Sequence, residues 1–369
     1  MIRDKHVDVM LFWGILFVVM GHNYQLNWFF FPAYTFHMAF FFFISGYLFT
    51  IRETIKEKVS FFWKKIKKQL IPYFLINAVF GVITFLLLKN GIGVKGVNYR
   101  TDGELSIKNL FIEPFATGHQ YPLNVAMWFL LGLFVVNIVA QSINWKDTAK
   151  AKITVFLISL PICLYLISLG SNGYKDFHLT FIRLGFGLLF FEMGMLIKQF
   201  KEPVLKVLKN PLTILGMWTI VALIKNYSGT LDSISYLIVL GDMKNKIFII
   251  PLITTALIIC ISYAICYYIS KIISNKSWVL KIGQNTFYIM LLHLSIFFII
   301  NFVFYKCGQI TLDQLNTPYF GYNKSVLFPL YEILAILIPV LIGMKIDKMK
   351  PKLKKLGRMV IGEFVTVEK

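Results

Sequence analysis

Residues 7–26 read VDVMLFWGILFVVMGHNYQL. The stretch holds a single acidic residue, Asp8, and it stays mostly apolar until Gly21 and His22. A helix needs about 20 mostly apolar residues to cross a bilayer, so this stretch predicts a membrane-spanning helix. No small-residue cleavage site follows it, and we interpret it as a retained signal anchor rather than a removed signal peptide.

The rest of the chain repeats this pattern. Of 369 residues, 57% are hydrophobic and only 15% are charged, whereas soluble domains carry about 25% charged residues. This composition excludes a soluble enzyme, a disordered tail and a fibrous repeat. The predicted fold class is all-α: a polytopic membrane protein with about ten transmembrane helices, at 7–26, 30–51, 69–89, 124–143, 152–170, 180–198, 211–227, 247–270, 285–305 and 325–345.

The basic residues predict the orientation of these helices. Of 38 Lys and Arg residues, 27 fall in alternate connections together with the two chain ends, ten fall in the other connections, and Arg183 lies inside a span. Because cytoplasmic loops are enriched in Lys and Arg, both termini are predicted to be cytoplasmic. Orientation and anionic lipids of the inner leaflet then account for the net charge of +20, and no nucleic-acid partner is needed.

The predicted membrane domain covers residues 1–348, and a basic cytoplasmic tail follows at 349–369. Two connections stand out. The segment 52–68 is rich in lysine and aromatic residues, which is typical of a helix in the inner interface. The loop 90–123 on the outer side is long and carries its own aromatic residues, and such loops are more often functional than idle.

Ionisable side chains inside predicted spans cost free energy, so each is a candidate functional residue. Structural explanations remain open for all of them: a histidine can be a hydrogen-bonded core residue, an arginine can extend its charge to the interface, and two glutamates can pair between helices. The candidates inside or at the ends of spans are Asp8, His22, His37, Arg183, Glu192, His293 and Glu332, with His119 and His178 on outer loops.

No metal site is predicted. The four cysteines form no CxxC pair, and the chain has no HExxH motif and no carboxylates at metal-ligand spacing. We also predict no bound cofactor.

Several stretches resemble the integral-membrane acyltransferase-3 family. RDKHVDVMLFWGILFVVMGHNY (3–24) is similar to the family's first helix, FHMAFFFFISGYLF (36–49) to its second, and FFWKKIKKQLIPYF (61–74) to its basic segment. MWFLLGLF (127–134) and IGQNTFYIMLLH (282–293) resemble later helices. The matches follow the family's order along the chain.

The resemblance implies that an acyl group, usually acetyl, passes from acyl-CoA in the cytoplasm to a glycan hydroxyl outside. Candidate acceptors are lipopolysaccharide, capsule, exopolysaccharide and a lipid-linked glycan, at a bacterial cytoplasmic (inner) membrane. The family's helix-1 histidine matches His22, which implies a catalytic base. Donor-binding candidates are Asp8, Lys64, Lys65 and Lys68, and acceptor or channel candidates are His37, Arg183, His293 and Glu332.

One position departs from the family pattern. The family has Arg or Lys eleven residues before the histidine, where this chain has Leu11, and Phe12 replaces a small glycine. Two alternatives therefore stay open: a catalytically degenerate member, and a transporter or flippase for a glycan or lipid-linked precursor. Transporters often contain inverted repeats, and the sequence shows none.

Overall fold

The computed structural model describes residues 4–23, 33–94, 105–118, 120–169, 178–228, 249–317 and 319–366. Every regular element in these ranges is helical, which confirms the all-α prediction. The predicted loop residue His119 and the span residues 24–26 and 30–32 lie outside the described residues. The helices are α1 (Lys5–Asn23), α2 (His37–Tyr47), α3 (Ile55–Lys65), α4 (Ile71–Lys89), α5 (Ile107–Phe111), α6 (Glu113–Ala116), α7 (Trp128–Ile143), α8 (Ala149–Ser168), α9 (His178–Gln199), α10 (Lys201–Leu208), α11 (Pro211–Ser228), α12 (Ile249–Ile272), α13 (Trp278–Gln284), α14 (Thr286–Lys306), α15 (Leu312–Asn316) and α16 (Lys324–Thr366).

The chain is a multi-pass membrane protein. Eight helices within the described ranges are long and apolar enough to cross a bilayer, and α10 with α11, bent by 78°, makes a ninth when the pair is taken as one span. The second predicted span corresponds to α2, which has only 11 residues and is too short by itself to cross about 30 Å of hydrocarbon. A 3-10 turn at Ala33–Thr35 precedes it.

Helix α1 lies at the centre of the bundle. It packs against α2, α12, α13, α14 and α16. Its sequence is apolar on all sides instead of along one stripe, and a helix with that pattern is stable only where neighbours surround it. This central position brings the end of α1, including His22, into the interior of the protein.

Helices α2 and α9 approach each other closely because glycines line their contact. A Cβ added at Gly46 would lie 1.8 Å from the carbonyl oxygen of Phe191, and one added at Gly194 would lie 2.1 Å from that of Phe43. Small residues let helix backbones meet in membranes, where close packing replaces the hydrophobic effect as a source of stability. The short α2 is therefore held by its fit against α9.

The basic inner segment continues directly into a span. Helix α3 leads through a π-helical turn at Ile66–Leu70 into α4. Thr54 begins α3 with a capping box, in which its side chain and that of Glu57 satisfy each other's backbone N–H groups. Since α3 is amphipathic and mostly exposed, its character agrees with the interfacial helix that the sequence predicts.

The described part of the predicted outer loop packs deep against α4. Asn77 donates from Nδ2 to the carbonyl oxygen of Leu110 (3.2 Å), and Gln120 donates from Nε2 to the hydroxyl of Tyr73 (2.6 Å). Tyr73 precedes the last residue of α4 by 16 positions, or about 24 Å of helix. The segment therefore enters the bundle instead of lying on its surface.

We expect Gly46→Ala to destabilise the protein, because the added Cβ collides with a backbone atom that cannot rotate away. Overpacking of this kind costs about 1–3 kcal/mol. The measurement is thermal unfolding of purified protein in detergent. Gly216→Ala in α11 is the matched control, since nothing lies within 4 Å of its added Cβ. Equal stability of the two variants would contradict the proposed close contact.

Candidate active site

Two histidines from opposite ends of the chain meet in the bundle. Nδ1 of His22, near the end of α1, lies 2.7 Å from Nε2 of His293 on α14. Their rings are parallel within 8° and their centroids are 5.0 Å apart. Face-to-face stacking would keep the nitrogens farther apart, so the rings lie edge to edge in nearly one plane, as a ring-to-ring hydrogen bond requires. We call them the histidine pair.

Aromatic rings surround the histidine pair. The ring of Tyr319 is parallel to that of His22 within 13°, at a centroid distance of 5.0 Å. Tyr34 contacts both His22 (6.0 Å) and His37 (5.1 Å) edge to face. Tyr319 adopts φ of 51°, which is uncommon for a bulky residue, and Lys324 donates a hydrogen bond to its carbonyl oxygen.

A close helix contact sets the register between the two histidines. A Cβ added at Gly283 on α13 would lie 2.0 Å from the carbonyl oxygen of Asp8 on α1. The Asp8 carboxylate accepts a hydrogen bond from Nε2 of Gln284 (2.8 Å). Because α14 begins two residues later, this contact fixes α1 against the helix that carries His293. Asp8 thus lies at a helix junction, and its role as a donor ligand stays a prediction.

A polar cluster lies beside His22. Asn23 donates from Nδ2 to the carbonyl oxygen of Phe328 and to Oε1 of Glu332, both at 3.1 Å. One residue before Glu332, the hydroxyl of Tyr331 donates to Oδ1 of Asn301 at 2.6 Å. The structure therefore brings Glu332 and His293 to the neighbourhood of His22.

A small cavity adjoins the histidine pair on one side. We call it the outer cavity, with a volume of about 40 Å³. Its walls are largely apolar and aromatic, and Asn301 and Thr317 add polar groups. It is lined by Val94, Pro122, Leu123, Leu294, Phe297, Phe298, Asn301, Leu315, Thr317, Tyr319 and Phe320.

A larger cavity of about 450 Å³, the inner cavity, lies among α2, α3, the π-helical turn, α7 and α14. Four cationic side chains line it, Arg52, Lys64, Lys65 and Lys68, and its described walls contain no carboxylate. The other lining residues are Ser45, Leu48, Phe49, Thr50, Phe61, Gln69, Leu130, Leu133, Asn137 and Phe287. Such a surface favours an anionic ligand, above all phosphate groups.

Arg52 is held firmly at this cavity. The side-chain amide of Gln141 bonds both the backbone N–H of Arg52 (3.2 Å) and its carbonyl oxygen (2.9 Å). The guanidinium lies 4.4 Å from the ring centroid of Phe61. Partial burial lowers the pKa of Arg52, and nearby Glu57 opposes that shift. An arginine stays charged at neutral pH in spite of such a shift.

The π-helical turn Ile66–Leu70 contributes two lining residues, Lys68 and Gln69. Gln69 is only 9% exposed, and its Oε1 has no hydrogen-bond partner among the described residues. Single π-turns are rare and occur often at functional sites. The turn therefore aligns a cation and a free amide oxygen with one cavity.

Helix α14 connects the two cavities through the histidine pair. From its N-terminal end, Phe287 lines the inner cavity, His293 bonds His22, and Leu294 lines the outer cavity. Six residues separate Phe287 from His293, which is about 9 Å of helix. Along α14, His293 thus falls between a residue of the basic cavity and a residue of the aromatic one.

The remaining predicted residues lie elsewhere in the site or outside it. His37 contacts the carbonyl oxygen of Ala33 through Nδ1 (2.6 Å), and its ring contacts that of Tyr34, which also contacts His22. Arg183 lies over the ring of Trp128 at 4.5 Å, beside a separate small cavity. Their roles stay predictions.

Leu11 and Glu192 serve the packing of the bundle. Leu11 is half-buried against the hydrophobic core. Glu192 accepts a hydrogen bond from Ser159 on the adjacent helix α8. Among the described residues, no group of histidines, cysteines and carboxylates could hold a metal ion.

Sequence reasoning did not single out Tyr319, Asn23, Arg52 or Gln69. Arg52 and Gln69 flank the lysines of the basic segment. The high density of lysines there could therefore have indicated both residues. Asn23 directly follows His22, and a polar residue at that depth is itself a candidate. Tyr319 lies in a connection between two helices, and nothing in the sequence indicates that its ring returns to His22.

Comparisons with known proteins give one match. The acyltransferase-3 family model, described as an acyltransferase domain, matches residues 4–344. No curated protein and no solved structure matches the chain.

We expect the two cavities to be reached from opposite sides of the membrane. In a variant without the four native cysteines, an impermeant maleimide added to intact cells should label Thr317→Cys. Ser45→Cys should react only in inverted vesicles, where the inner face is accessible. Ala39→Cys is the control on α2, because that residue is fully buried and should resist labelling from both sides. Labelling of both test positions from one side would refute the arrangement.

Proposed function

The chain belongs to the acyltransferase-3 family and is a membrane acyltransferase, and from that premise we propose that it acetylates a glycan across a bacterial cytoplasmic (inner) membrane. The donor is acetyl-CoA in the cytoplasm. The acceptor is a hydroxyl group of a surface glycan, such as lipopolysaccharide, capsule, exopolysaccharide or a lipid-linked precursor. No bound cofactor takes part, and anionic lipids surround the basic inner face.

One observation carries this proposal: α14 passes from the basic inner cavity, through the histidine pair, to the aromatic outer cavity. A transmembrane transfer needs a donor site on one side, an acceptor site on the other, and a base between them. The order of Phe287, His293 and Leu294 along one rigid helix supports that arrangement.

The inner cavity suits the donor. Coenzyme A carries a diphosphate and a further phosphate, and Arg52, Lys64, Lys65 and Lys68 supply the complementary charge. The pantetheine arm is long enough to cover the roughly 9 Å of helix between Phe287 and His293. The unpartnered Oε1 of Gln69 suits an amide N–H of that arm, because a buried acceptor gains most from a donor that enters the site.

His22 is the proposed general base. An alcohol is a weak nucleophile until a neighbouring group removes its proton as it attacks. The ring of His22 takes the proton of the glycan hydroxyl, the oxygen bonds to the acyl carbon, and the carbon–sulfur bond of the thioester breaks. The thiolate of CoA then recovers the proton from His22. Atoms and charges balance without another reagent.

The outer cavity suits a sugar. Aromatic rings bind the apolar faces of pyranoses; Tyr319, Phe297 and Phe320 line this cavity, and Tyr319 lies beside His22. Asn23 and Glu332 add hydrogen-bonding groups next to the base. Narrow walls admit one edge of a sugar and leave little room for water, which would otherwise hydrolyse the thioester.

The cations of the inner cavity offer a physical explanation for Leu11. The resemblance implies that a cation at this position of the first helix acts on the acyl donor in other family members. In this chain Leu11 takes that position and packs into the apolar core. Arg52 and the lysines of α3 and the π-turn supply positive charge from a different direction. We propose that they replace the missing helix-1 cation, which keeps this chain active.

His22→Ala should abolish O-acetylation, because no other group replaces the base. A strain lacking the gene is complemented with wild type, His22→Ala or His22→Gln. The masses of its envelope glycans are then measured by mass spectrometry before and after treatment with mild alkali. An alkali-labile acetyl mass should return with wild type only, at equal membrane levels of the three proteins. Full acetylation by His22→Ala would overturn the assignment, and altered glycan export without any change in acetylation would favour the transporter.

Removing charge from the inner cavity should weaken donor binding alone. We expect Lys64→Gln, Lys65→Gln and Lys68→Gln combined to raise the KM for acetyl-CoA by at least about tenfold, because charged hydrogen bonds to phosphate are lost. The KM for the glycan should stay unchanged. Lys56→Gln with Lys58→Gln, on the same helix but outside the cavity, is the matched control, and an equal effect of both sets would show only a general loss of surface charge.

A further inference from the structure

We propose that His293 is a positioning residue that fixes the tautomer and the orientation of His22. This inference rests on the proposed function, in which His22 is the base, and assigns His293 a different task from acceptor binding. The hydrogen bonds at three of the four ring nitrogens decide which nitrogens carry a proton.

A backbone carbonyl decides which nitrogen of His293 carries the proton. Nδ1 of His293 lies 2.8 Å from the carbonyl oxygen of Ile289, one turn earlier on α14. A carbonyl oxygen only accepts hydrogen bonds, so Nδ1 of His293 carries the proton and donates. A neutral imidazole has a single N–H, and Nε2 of His293 is therefore a lone-pair acceptor.

The same rule extends to His22. Nε2 of His293 accepts at 2.7 Å from Nδ1 of His22, so Nδ1 of His22 carries its ring's proton. Nε2 of His22 then holds the lone pair. It makes no hydrogen bond with the described residues, and the side chain is half-buried instead of closed off. A base needs this combination of a free lone pair and access for its substrate.

The arrangement also stabilises the charged intermediate state. When Nε2 of His22 takes the proton of the glycan hydroxyl, the ring becomes an imidazolium. Its Nδ1–H still donates to Nε2 of His293, and the bond becomes charge-assisted and stronger. His293 stays neutral throughout, because its Nδ1–H donates to the carbonyl oxygen of Ile289 and its Nε2 keeps its lone pair as the acceptor for His22. The proton returns from Nε2 of His22 to the leaving thiolate.

The surroundings keep the two rings aligned. His293 is fully buried, with the ring of Phe297 approaching it edge to face at 6.1 Å. Tyr319 lies parallel to the ring of His22 at a centroid distance of 5.0 Å. A rotated His22 would lose the bond to His293, so the pair holds Nε2 in one direction.

Two isosteric substitutions separate positioning from simple packing. The amide of Gln reaches the place of Nε2 of histidine, so His293→Gln keeps an acceptor for Nδ1 of His22. The amide of Asn reaches only the place of Nδ1, so His293→Asn keeps the bond to Ile289 and loses the one to His22. If His293 only filled space, His293→Gln would not keep more activity than His293→Asn.

We expect kcat to fall roughly 100-fold in His293→Ala and His293→Asn, since a misplaced base costs about that much, with KM values for both substrates within about threefold of wild type. His293→Gln should retain kcat within about tenfold. Thermal unfolding of each variant in detergent checks that it folds. Equal losses in the Gln and Asn variants would overturn the positioning role.

A second measurement does not depend on activity. Solid-state ¹⁵N NMR of histidine-labelled wild-type protein reports which ring nitrogen is protonated, and a spectrum of His22→Gln identifies the His22 signals among the six histidines. We expect protonated Nδ1 and bare Nε2 in His22. If Nε2 of His22 is protonated, the inference is refuted, even if acetylation through His22 is established. If the tautomer is as expected but the protein has no acetyltransferase activity, only the proposed function is refuted.

Discussion

The absence of water from the hydrocarbon core is the constraint on which this structure depends. A polar group buried there must find its partner inside the protein. The histidine pair is the main consequence: His22 and His293 are separated by 271 positions, and their hydrogen bond forms only if α1 and α14 pack in one register. The contact of Gly283 with Asp8 and the bond from Gln284 fix that register. The fold thus positions His22, the proposed base, through helix packing.

The same constraint explains how much the sequence could predict. Apolar length predicted ten spans, and the described residues contain eight or nine, because burying charge in lipid is costly. The alternation of Lys and Arg predicts their orientation, which stays a prediction. His22, His293 and Glu332 were singled out because an ionisable residue inside a span costs free energy, and the structure places them close together. The family resemblance then implied the role of His22, which the chemistry of an intramembrane imidazole makes reasonable.

What the sequence could not predict depends on the third dimension. The segment after α4 looks like an outer loop, since its glycines and prolines are typical of loops, yet Gln120 bonds Tyr73 deep in the bundle. Helix α2 packs closely against α9 at Gly46 and Gly194, a contact that no local pattern reveals. Tyr319 reaches His22 with its backbone in the left-handed region. That region usually favours glycine, and a tyrosine at this position does not indicate it.

The difference between the two cavities has a chemical consequence. The inner cavity holds about 450 Å³ and the outer one about 40 Å³, so a large anionic ligand fits on one side and only a small part of a ligand on the other. A donor such as an acyl-CoA can then be bound by its phosphates, far from the reaction, while the acceptor contributes one hydroxyl at a time. In the proposed function, binding energy gathered at Arg52 and the lysines positions the thioester next to His22, which those cations do not themselves contact. Because the cations bind the donor and His22 alone reacts, the loss of one cation at Leu11 can be offset within the cavity, whereas the loss of His22 cannot.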